Sequence, residues 1–151
     1  MMFTQNYTLR FAAIAMVAML FIQAQPPIES SEPIGIQFFE GSWEEALKQA
    51  KAEDKLIFLD AYAAWCGPCK MLKRNVFTQQ EVGDYFNAEF INVAMDMEKG
   101  EGPALSRKFG VTAYPTLIFV DGDGKVITKA IGYHNAQQLI GLGKRVQGQN
   151  S

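Results

Sequence analysis

The sequence Trp65-Cys66-Gly67-Pro68-Cys69-Lys70 decides the interpretation of this chain, because it contains the only two cysteines among 151 residues. It follows the apolar run 56–59 and precedes a helix-like segment at 71–77. A cysteine pair at a junction between strand and helix puts Cys66 at the helix N-terminus, where unpaired N–H groups and the helix dipole favour the thiolate. Cys69, one turn later, can close a short disulfide with it.

Two other interpretations of the cysteine pair remain open at this point. A structural zinc ion needs four ligands, usually Cys or His, and His134 is the single further candidate, so a metal site would require two chains. A purely structural disulfide is the second alternative. Dithiol redox chemistry is favoured by the spacing, and we therefore expect no metal and no bound cofactor. Pro68 costs no hydrogen bond in the first helical turn, and with Gly67 it allows a tight turn between the sulfurs.

Residues 65–70 match the WCGPCK active-site motif of thioredoxins, and the likeness extends to Asp60 before the motif, to Tyr114-Pro115-Thr116 after it and to Gly132. The chain therefore resembles the thioredoxin family over about residues 36–146. The resemblance implies an α/β fold, the thioredoxin fold, in which a central mixed β-sheet is flanked by helices on both faces. It also implies thiol–disulfide oxidoreductase activity toward protein thiols and disulfides, with electrons supplied by a thiol–disulfide partner.

The resemblance also assigns roles to individual residues. Cys66 would be the attacking thiolate and Cys69 the resolving thiol. Asp60 matches a buried acid that relays a proton, and burial in an apolar strand would raise its pKa, although a solvated Asp at a strand end is the alternative. In the family the proline at Pro115 is cis, and the backbone beside it pairs with an extended substrate; the alternative is a trans proline that starts a strand. The expected substrate-binding residues are Trp65, Gly67, Pro68, Tyr114 and Pro115.

Two positions depart from the resembled family. Asn92 stands where thioredoxins have the lysine that pairs with the buried acid, so we expect Asp60 to lack its charge partner and to be more strongly protonated. Tyr62 replaces a common tryptophan. The segment 75–90 resembles the extended second-helix region in the C-terminal domain of membrane thiol:disulfide interchange proteins.

The N-terminal residues 1–24 have the pattern of a signal peptide. Arg10 is followed by the apolar run 11–22, and Ala24 provides a small residue before a cleavage site. The run is shorter than the roughly 20 residues that a transmembrane helix needs. We therefore predict an exported protein, periplasmic in a Gram-negative cell; contact with the membrane is expected only if the segment is retained as an anchor. The Pro-containing residues 25–35 are predicted to be a linker.

Hydrophobic periodicity and capping signals predict the elements of a single domain at 36–147, followed by a tail at 148–151. Capping boxes are expected at 42–45 and 78–81, and the second implies a break near Thr78. Asn135 is expected to cap the last helix, to about Val146. The predicted strands are 36–39, 55–62, 90–95, 116–120 and 125–131, with a turn at 121–124, and a short helix is expected at 103–109.

Composition excludes some classes of function. The chain is 48% hydrophobic and 20% charged, which suits one globular domain, and its net charge of −2 without a basic run argues against nucleic acid as a partner. The sequence therefore predicts an extracytoplasmic thiol–disulfide oxidoreductase, and the Gly-Pro pair between the cysteines resembles that of reducing members. A disulfide oxidase or isomerase is the alternative, as is a peptide-binding module with an idle dithiol.

Overall fold

The computed structural model describes residues 34–150, so the predicted signal peptide and residues 25–33 of the predicted linker lie outside the described residues. Nine helices and strands follow one another in the described part. They are α1 (Trp43–Glu53), β1 (Leu56–Tyr62), α2 (Gly67–Asn75), α3 (Gln80–Glu89), β2 (Phe90–Asp96), α4 (Gly102–Phe109), β3 (Thr116–Val120), β4 (Val126–Ile131) and α5 (Ala136–Asn150).

The four strands form one mixed sheet in the order β2-β1-β3-β4. Strand β1 is parallel to β2 and antiparallel to β3, which is itself antiparallel to β4. Successive side chains of a strand point to opposite faces. Leu56 and Phe58 accordingly join a core with α2, α3 and α5, whereas Ile57 and Leu59 join a second core with α1 and α4. The predicted mixed sheet with helices on both faces is confirmed.

One of the two predicted capping boxes is present. The Oγ atom of Ser42 accepts a hydrogen bond from the backbone N–H of Glu45, whose carboxylate accepts one from the backbone N–H of Ser42. The box predicted at 78–81 is wrong, because α3 starts after Gln79 without a side-chain cap. The hydroxyl of Thr78 instead donates to the carbonyl of Arg74 in α2. The predicted break between the two helices near Thr78 is confirmed.

The strand predicted at 36–39 is also wrong, because this segment forms no regular strand. Its backbone N–H groups bond in two directions: that of Ile36 donates to Phe77 and that of Phe39 donates to Asn92 in β2, so no continuous ladder forms. Gly35, which we assigned to the linker, is buried and packs against α3. A Cβ atom on Gly83 would collide with the backbone of Gly35.

The C-terminal elements follow the local sequence signals. The Oδ1 atom of Asp121 accepts hydrogen bonds from the backbone N–H groups of Asp123 and Lys125, which closes the turn before β4. The Oδ1 atom of Asn135 accepts from Gln138, so the predicted cap of α5 is confirmed. The helix nevertheless continues to residue 150, past its predicted end and into the segment we assigned to a tail. Among residues 34–150, no helix is both long and apolar enough to cross a membrane.

Candidate active site

The two cysteines lie where β1 leads into α2. Cys66 is the N-cap residue of α2, and its Sγ atom accepts a hydrogen bond from the backbone N–H of Cys69 at 3.2 Å. The two sulfurs form a disulfide, with their Cα atoms 5.4 Å apart. The N–H group and the positive end of the helix dipole would stabilise a negative charge on this sulfur once the disulfide is reduced. The predicted helix-terminal position of Cys66 and the short disulfide are confirmed.

The surface around the disulfide is formed by the residues between and beside the sulfurs. Cys66 and Cys69 are only 2% and 4% exposed, whereas Gly67 and Pro68 between them are exposed. A Cβ atom on Gly67 would meet nothing within 4 Å, so the space above this turn is open. Gly67 and Pro68 are therefore the exposed part of the disulfide loop.

An aromatic pair borders the disulfide. Trp65 is 67% exposed, and its ring lies edge-on to that of Tyr114, with 6.0 Å between the ring centroids. The indole N–H donates to both carboxylate oxygens of Glu98, at 3.1 and 3.0 Å. Our sequence reasoning missed Glu98. The pairing of the strands could have indicated it. Because β1 and β2 are parallel, an acidic residue just after β2 lies at the same end of the sheet as the dithiol just after β1.

The loop before β3 contacts the cysteines through Tyr114. The Tyr114-Pro115 peptide bond is cis, as the resemblance implied. The side chain of Tyr114 packs against the cluster of Ala63, Cys66 and Cys69. Two hydrogen bonds hold the end of the loop next to β3. The hydroxyl of Thr116 donates to the carbonyl of Ala113, and the N–H of Gly132 donates to the carbonyl of Pro115. The expected substrate-binding residues are therefore brought together around the disulfide.

Asp60 is buried in β1, so it is not the solvated strand-end residue of the alternative interpretation. It is 4% exposed, and its neighbours in register are Ala94 in β2 and Leu117 in β3. Its Oδ1 atom has no hydrogen-bond partner among the described residues. Desolvation raises the pKa of Asp60 from its usual 3.8 to about 7, and the positive charge of Lys73 lowers it by a smaller amount. The carboxyl can therefore both hold and release a proton near neutral pH.

Asn92 occupies the position at which the resembled family has a lysine. It is buried, and its amide donates to the carbonyl of Phe86 and to the side chain of Asn87, both at 3.2 Å. These bonds tie β2 to α3 and bring no charge to Asp60. As expected, the lysine of the family is absent here and the pKa of Asp60 is raised; Lys73, which lies on α2 rather than on the sheet, lowers that pKa by a smaller amount.

Within the described chain, His134 has one hydrogen-bonding contact, with the backbone two residues before it. Its Nδ1 atom is 3.0 Å from the carbonyl oxygen of Gly132. Within residues 34–150, no group of three or more His, Cys, Asp or Glu side chains is arranged to hold a metal ion.

A family model described as a thioredoxin-like domain matches residues 43–147, more than half of the chain. The chain belongs to the thioredoxin-like family. A solved Bacteroides thetaiotaomicron protein, described as a candidate disulphide-isomerase, is 48% identical with a TM-score of 0.68, and the match covers 78% of this chain and 97% of that one. The oxidised C-terminal domain of DsbD from Neisseria meningitidis is 25% identical with a TM-score of 0.60, over 72% of this chain and 98% of that domain.

A plant relative matches at similar extent. Thioredoxin H2 of Arabidopsis thaliana is 34% identical over 105 residues, which are 68% of this chain and 73% of the relative. The family and these relatives agree with the disulfide formed by Cys66 and Cys69. This thioredoxin-like chain is therefore a thiol–disulfide oxidoreductase of the thioredoxin and Dsb type, and the predicted fold is confirmed.

The burial of Asp60 predicts how stability depends on pH. The folded protein keeps the proton up to about pH 7, whereas the unfolded chain releases it near 3.8, so the free energy of unfolding falls as pH rises between these values. A shift of this size corresponds to a loss on the order of 4 kcal/mol. Asp60→Asn cannot ionise. It should match the parent near pH 4 and be clearly more stable at pH 8.

Denaturant unfolding of the two oxidised proteins at pH 4 and pH 8 measures this difference. Every other titrating group is common to both proteins and cancels in the comparison. An equal difference in stability at both pH values would show that Asp60 does not titrate as its burial implies.

Proposed function

We propose that this chain is an extracytoplasmic protein-disulfide reductase that uses Cys66 as the attacking thiolate and Cys69 as the resolving thiol. The observation that carries the proposal is the position of the Cys66 Sγ atom at the N-terminus of α2, within hydrogen-bonding distance of the Cys69 N–H. A thiolate is stabilised at such a position, and the thiolate is the form that attacks disulfides.

The reaction transfers two electrons in two exchange steps. In the first, the Cys66 thiolate attacks one sulfur of a protein disulfide, forms a mixed disulfide and releases the other sulfur as a thiolate. In the second, the Cys69 thiolate attacks the Cys66 sulfur, forms the disulfide of α2 and releases the substrate's remaining sulfur as a thiolate, which takes up a proton. An electron-donating dithiol of another protein then returns the pair to its reduced form. No bound cofactor takes part in these steps.

Asp60 is proposed to receive the proton that Cys69 loses before the second step. A base is most effective when its pKa lies near the working pH, and burial raises the pKa of Asp60 to about 7. Because side chains of a strand alternate, the carboxyl lies on the same sheet face as Leu56 and Phe58, which α2 covers. Its Oδ1 atom has no hydrogen-bond partner among residues 34–150. The same group would return the proton to Cys69 when the disulfide is reduced again.

The substrate is proposed to bind as an extended peptide segment across the Gly-Pro turn. Exposed Trp65 and half-buried Tyr114 supply apolar surface beside the sulfurs. Ala113, which directly precedes Tyr114, is also exposed. An extended segment can pair with backbone at the end of a strand, and such pairing carries little dependence on substrate sequence. This mode suits a reductase that acts on varied protein disulfides.

The direction of electron flow depends on the reduction potential and on the partner. Reduction is favoured here because the Gly67-Pro68 pair resembles that of reducing members of the family. A disulfide isomerase is the second candidate, and it is favoured by the 48% identity to the Bacteroides thetaiotaomicron protein described as a candidate disulphide-isomerase.

The extracytoplasmic location is supported by residues 1–24, whose charged and apolar pattern is typical of a signal peptide.

The assignment of nucleophile and resolver predicts opposite behaviour for two single variants. Cys69→Ser can attack a substrate but cannot release it, so it should accumulate covalent protein adducts that a reductant frees. Cys66→Ser lacks the attacking sulfur and should trap few. Non-reducing gel electrophoresis of cells that produce each variant measures the adducts. Trapping by Cys66→Ser would reverse the assignment, and trapping by neither would favour the idle peptide-binding module.

The proposed reductive direction predicts that the dithiol form predominates in cells. Rapid acid quenching and alkylation, followed by a gel that separates the modified forms, measures the reduced fraction. The variant lacking both cysteines marks the position of unmodified protein. A predominantly oxidised pair would indicate an oxidase. An isomerase would also be largely reduced, but it would restore activity to a protein with scrambled disulfides in the absence of added reductant.

The proposed export predicts an N-terminus near Gln25 in the native protein. Mass spectrometry of the protein purified from its source, without an added tag at the N-terminus, measures it. As a control, replacing apolar residues of the segment 11–22 by charged ones should leave an uncleaved precursor in the cytosol. Recovery of the full-length native protein from the cytosol would contradict export.

A further inference from the structure

The end of β2 and the loop after it carry three acidic residues, and two of them are engaged away from the disulfide. The carboxylate of Asp96 accepts a hydrogen bond from the backbone N–H of Glu98 and lies 3.6 Å from the ammonium group of Lys99. The carboxylate of Glu101 accepts a hydrogen bond from the backbone N–H of Trp43, at the start of α1. The third is Glu98, whose carboxylate is exposed and joins no ion pair within residues 34–150.

Glu98 is held beside the disulfide by the tryptophan of the cysteine motif. Its two carboxylate oxygens lie 3.1 and 3.0 Å from the indole nitrogen of Trp65, the residue directly before Cys66. Because the indole has a single N–H to donate, the two oxygens share one donor and keep most of their lone pairs for water or for a partner. The carboxylate is therefore a fixed negative charge with unused acceptor capacity next to the attacking cysteine.

The indole beside this carboxylate is a large exposed aromatic surface. Trp65 is 67% exposed, and its ring meets that of Tyr114 at 75° with the centroids 6.0 Å apart, so the two rings do not stack face to face. The face of an aromatic ring attracts a cation, and tryptophan does so best among the aromatic side chains. A cation over the indole would also lie near Glu98, because the carboxylate is bonded to the edge of the same ring.

A bound substrate would change the surroundings of Glu98. An extended segment that covers Trp65 and reaches the Cys66 sulfur removes water from the adjoining carboxylate. A carboxylate that loses water without gaining a donor is costly, and a cationic donor on the partner removes that cost. An arginine side chain satisfies both groups at once, because its planar guanidinium group stacks on an aromatic ring and presents several N–H groups to a carboxylate.

We propose that Trp65 and Glu98 form a subsite for an arginine side chain that flanks the reacting disulfide of the substrate. The inference deepens the proposed function, because it names a chemical feature of the substrate of the same dithiol, and it rests on that function for its kinetic consequence. Backbone pairing beside Pro115 depends little on sequence, so the subsite supplies a preference among substrates. Ion pairs and cation–π contacts at exposed sites are weak, so we expect a preference of about two- to fivefold.

The first test measures binding to the oxidised protein by NMR, through the indole N–H signals of its two tryptophans. The probes are two short peptides without cysteine that differ at one position, which holds either arginine or citrulline, its uncharged analogue of nearly the same shape. The arginine peptide should shift the Trp65 signal and bind about two- to fivefold more tightly than the citrulline peptide. Trp43 is 6% exposed, so its signal is an internal reference that should stay in place.

Two variants separate the charge of Glu98 from that of its neighbour. Glu98→Gln removes the charge but keeps a side-chain carbonyl that can accept from the Trp65 indole, so the preference for arginine should fall while the indole stays in position. Glu101→Gln is the matched control, because it removes the same charge from the same loop and keeps an acceptor for the Trp43 N–H. It should leave the preference unchanged.

The second test compares kcat/KM for the reduction of two disulfide-containing peptides that carry arginine or citrulline beside the cysteine. The parent should favour the arginine peptide about two- to fivefold at low salt. The ratio should fall in Glu98→Gln, and in the parent at high salt, because salt screens exposed charges. Equal values for the two peptides in the parent, or an equal loss of preference in Glu101→Gln, would overturn the proposal.

Failure of this inference and failure of the proposed function are distinguishable. The NMR titration uses the oxidised protein and peptides without cysteine, so it requires no exchange reaction. If the chain had no reductase activity, neither disulfide peptide would be reduced, whatever the titration gave. If only the subsite were wrong, both disulfide peptides would be reduced with the same kcat/KM, and the Trp65 signal would respond equally to both probes.

Discussion

The central strand β1 is covered on both faces and paired on both edges, and the position of the active site depends on that burial. Ile57, Phe58 and Leu59 have no exposed surface. Each such side chain contributes about 1.5–3 kcal/mol through burial, and a shift by one residue would exchange the two faces. The strand is therefore fixed in register, and so is its end at Tyr62. Because α2 begins five residues later, the helix N-terminus and its N-cap cysteine are fixed with it.

A carboxylic acid in such a strand lowers the stability of the fold once it ionises. The protein accepts this cost at Asp60, in a strand whose other residues from 56 to 61 are apolar and buried. Local rules that are broken in this way usually mark functional positions. The cost also places a titratable group on the sheet face that the dithiol helix covers, which no solvent-exposed acid could provide with the same pKa. The burial that fixes the strand therefore also sets the proton affinity of the group beneath the dithiol.

The surroundings of the dithiol combine family features with features of this chain. The disulfide, the Gly-Pro turn and the cis peptide bond before Pro115 are those that the resemblance implied. Two further hydrogen-bonded pairs lie outside these groups. Glu98 holds the exposed indole of Trp65, and Asn92 uses its amide to join β2 to α3. Neither contact involves a cysteine, and the amide of Asn92 brings no charge to Asp60.

The sequence by itself determined the features that depend on neighbouring residues. The dithiol at a helix start, the turn closed by Asp121 and the cap at Asn135 all follow from spacing over a few residues, and the apolar run of β1 determined that this strand is central. Local signals failed where a residue had a choice of partners. Thr78 starts a capping-box pattern, yet its hydroxyl donates to the carbonyl of Arg74. Residues 36–39 have the pattern of a strand, but their backbone N–H groups donate to Phe77, between α2 and α3, and to Asn92 in β2.

Only the tertiary structure decided which charged groups act on the residues around the dithiol. Trp65 and Glu98 are 33 residues apart, and they meet because β1 and β2 are parallel neighbours that end at one edge of the sheet. Lys73 lies on α2 and Asp60 lies in β1, and no local sequence pattern predicts that the charge of Lys73 lowers the pKa of Asp60. This effect depends on the packing of α2 on one face of the sheet, because the interaction of two charges depends on their distance in space and on the dielectric constant of the medium between them.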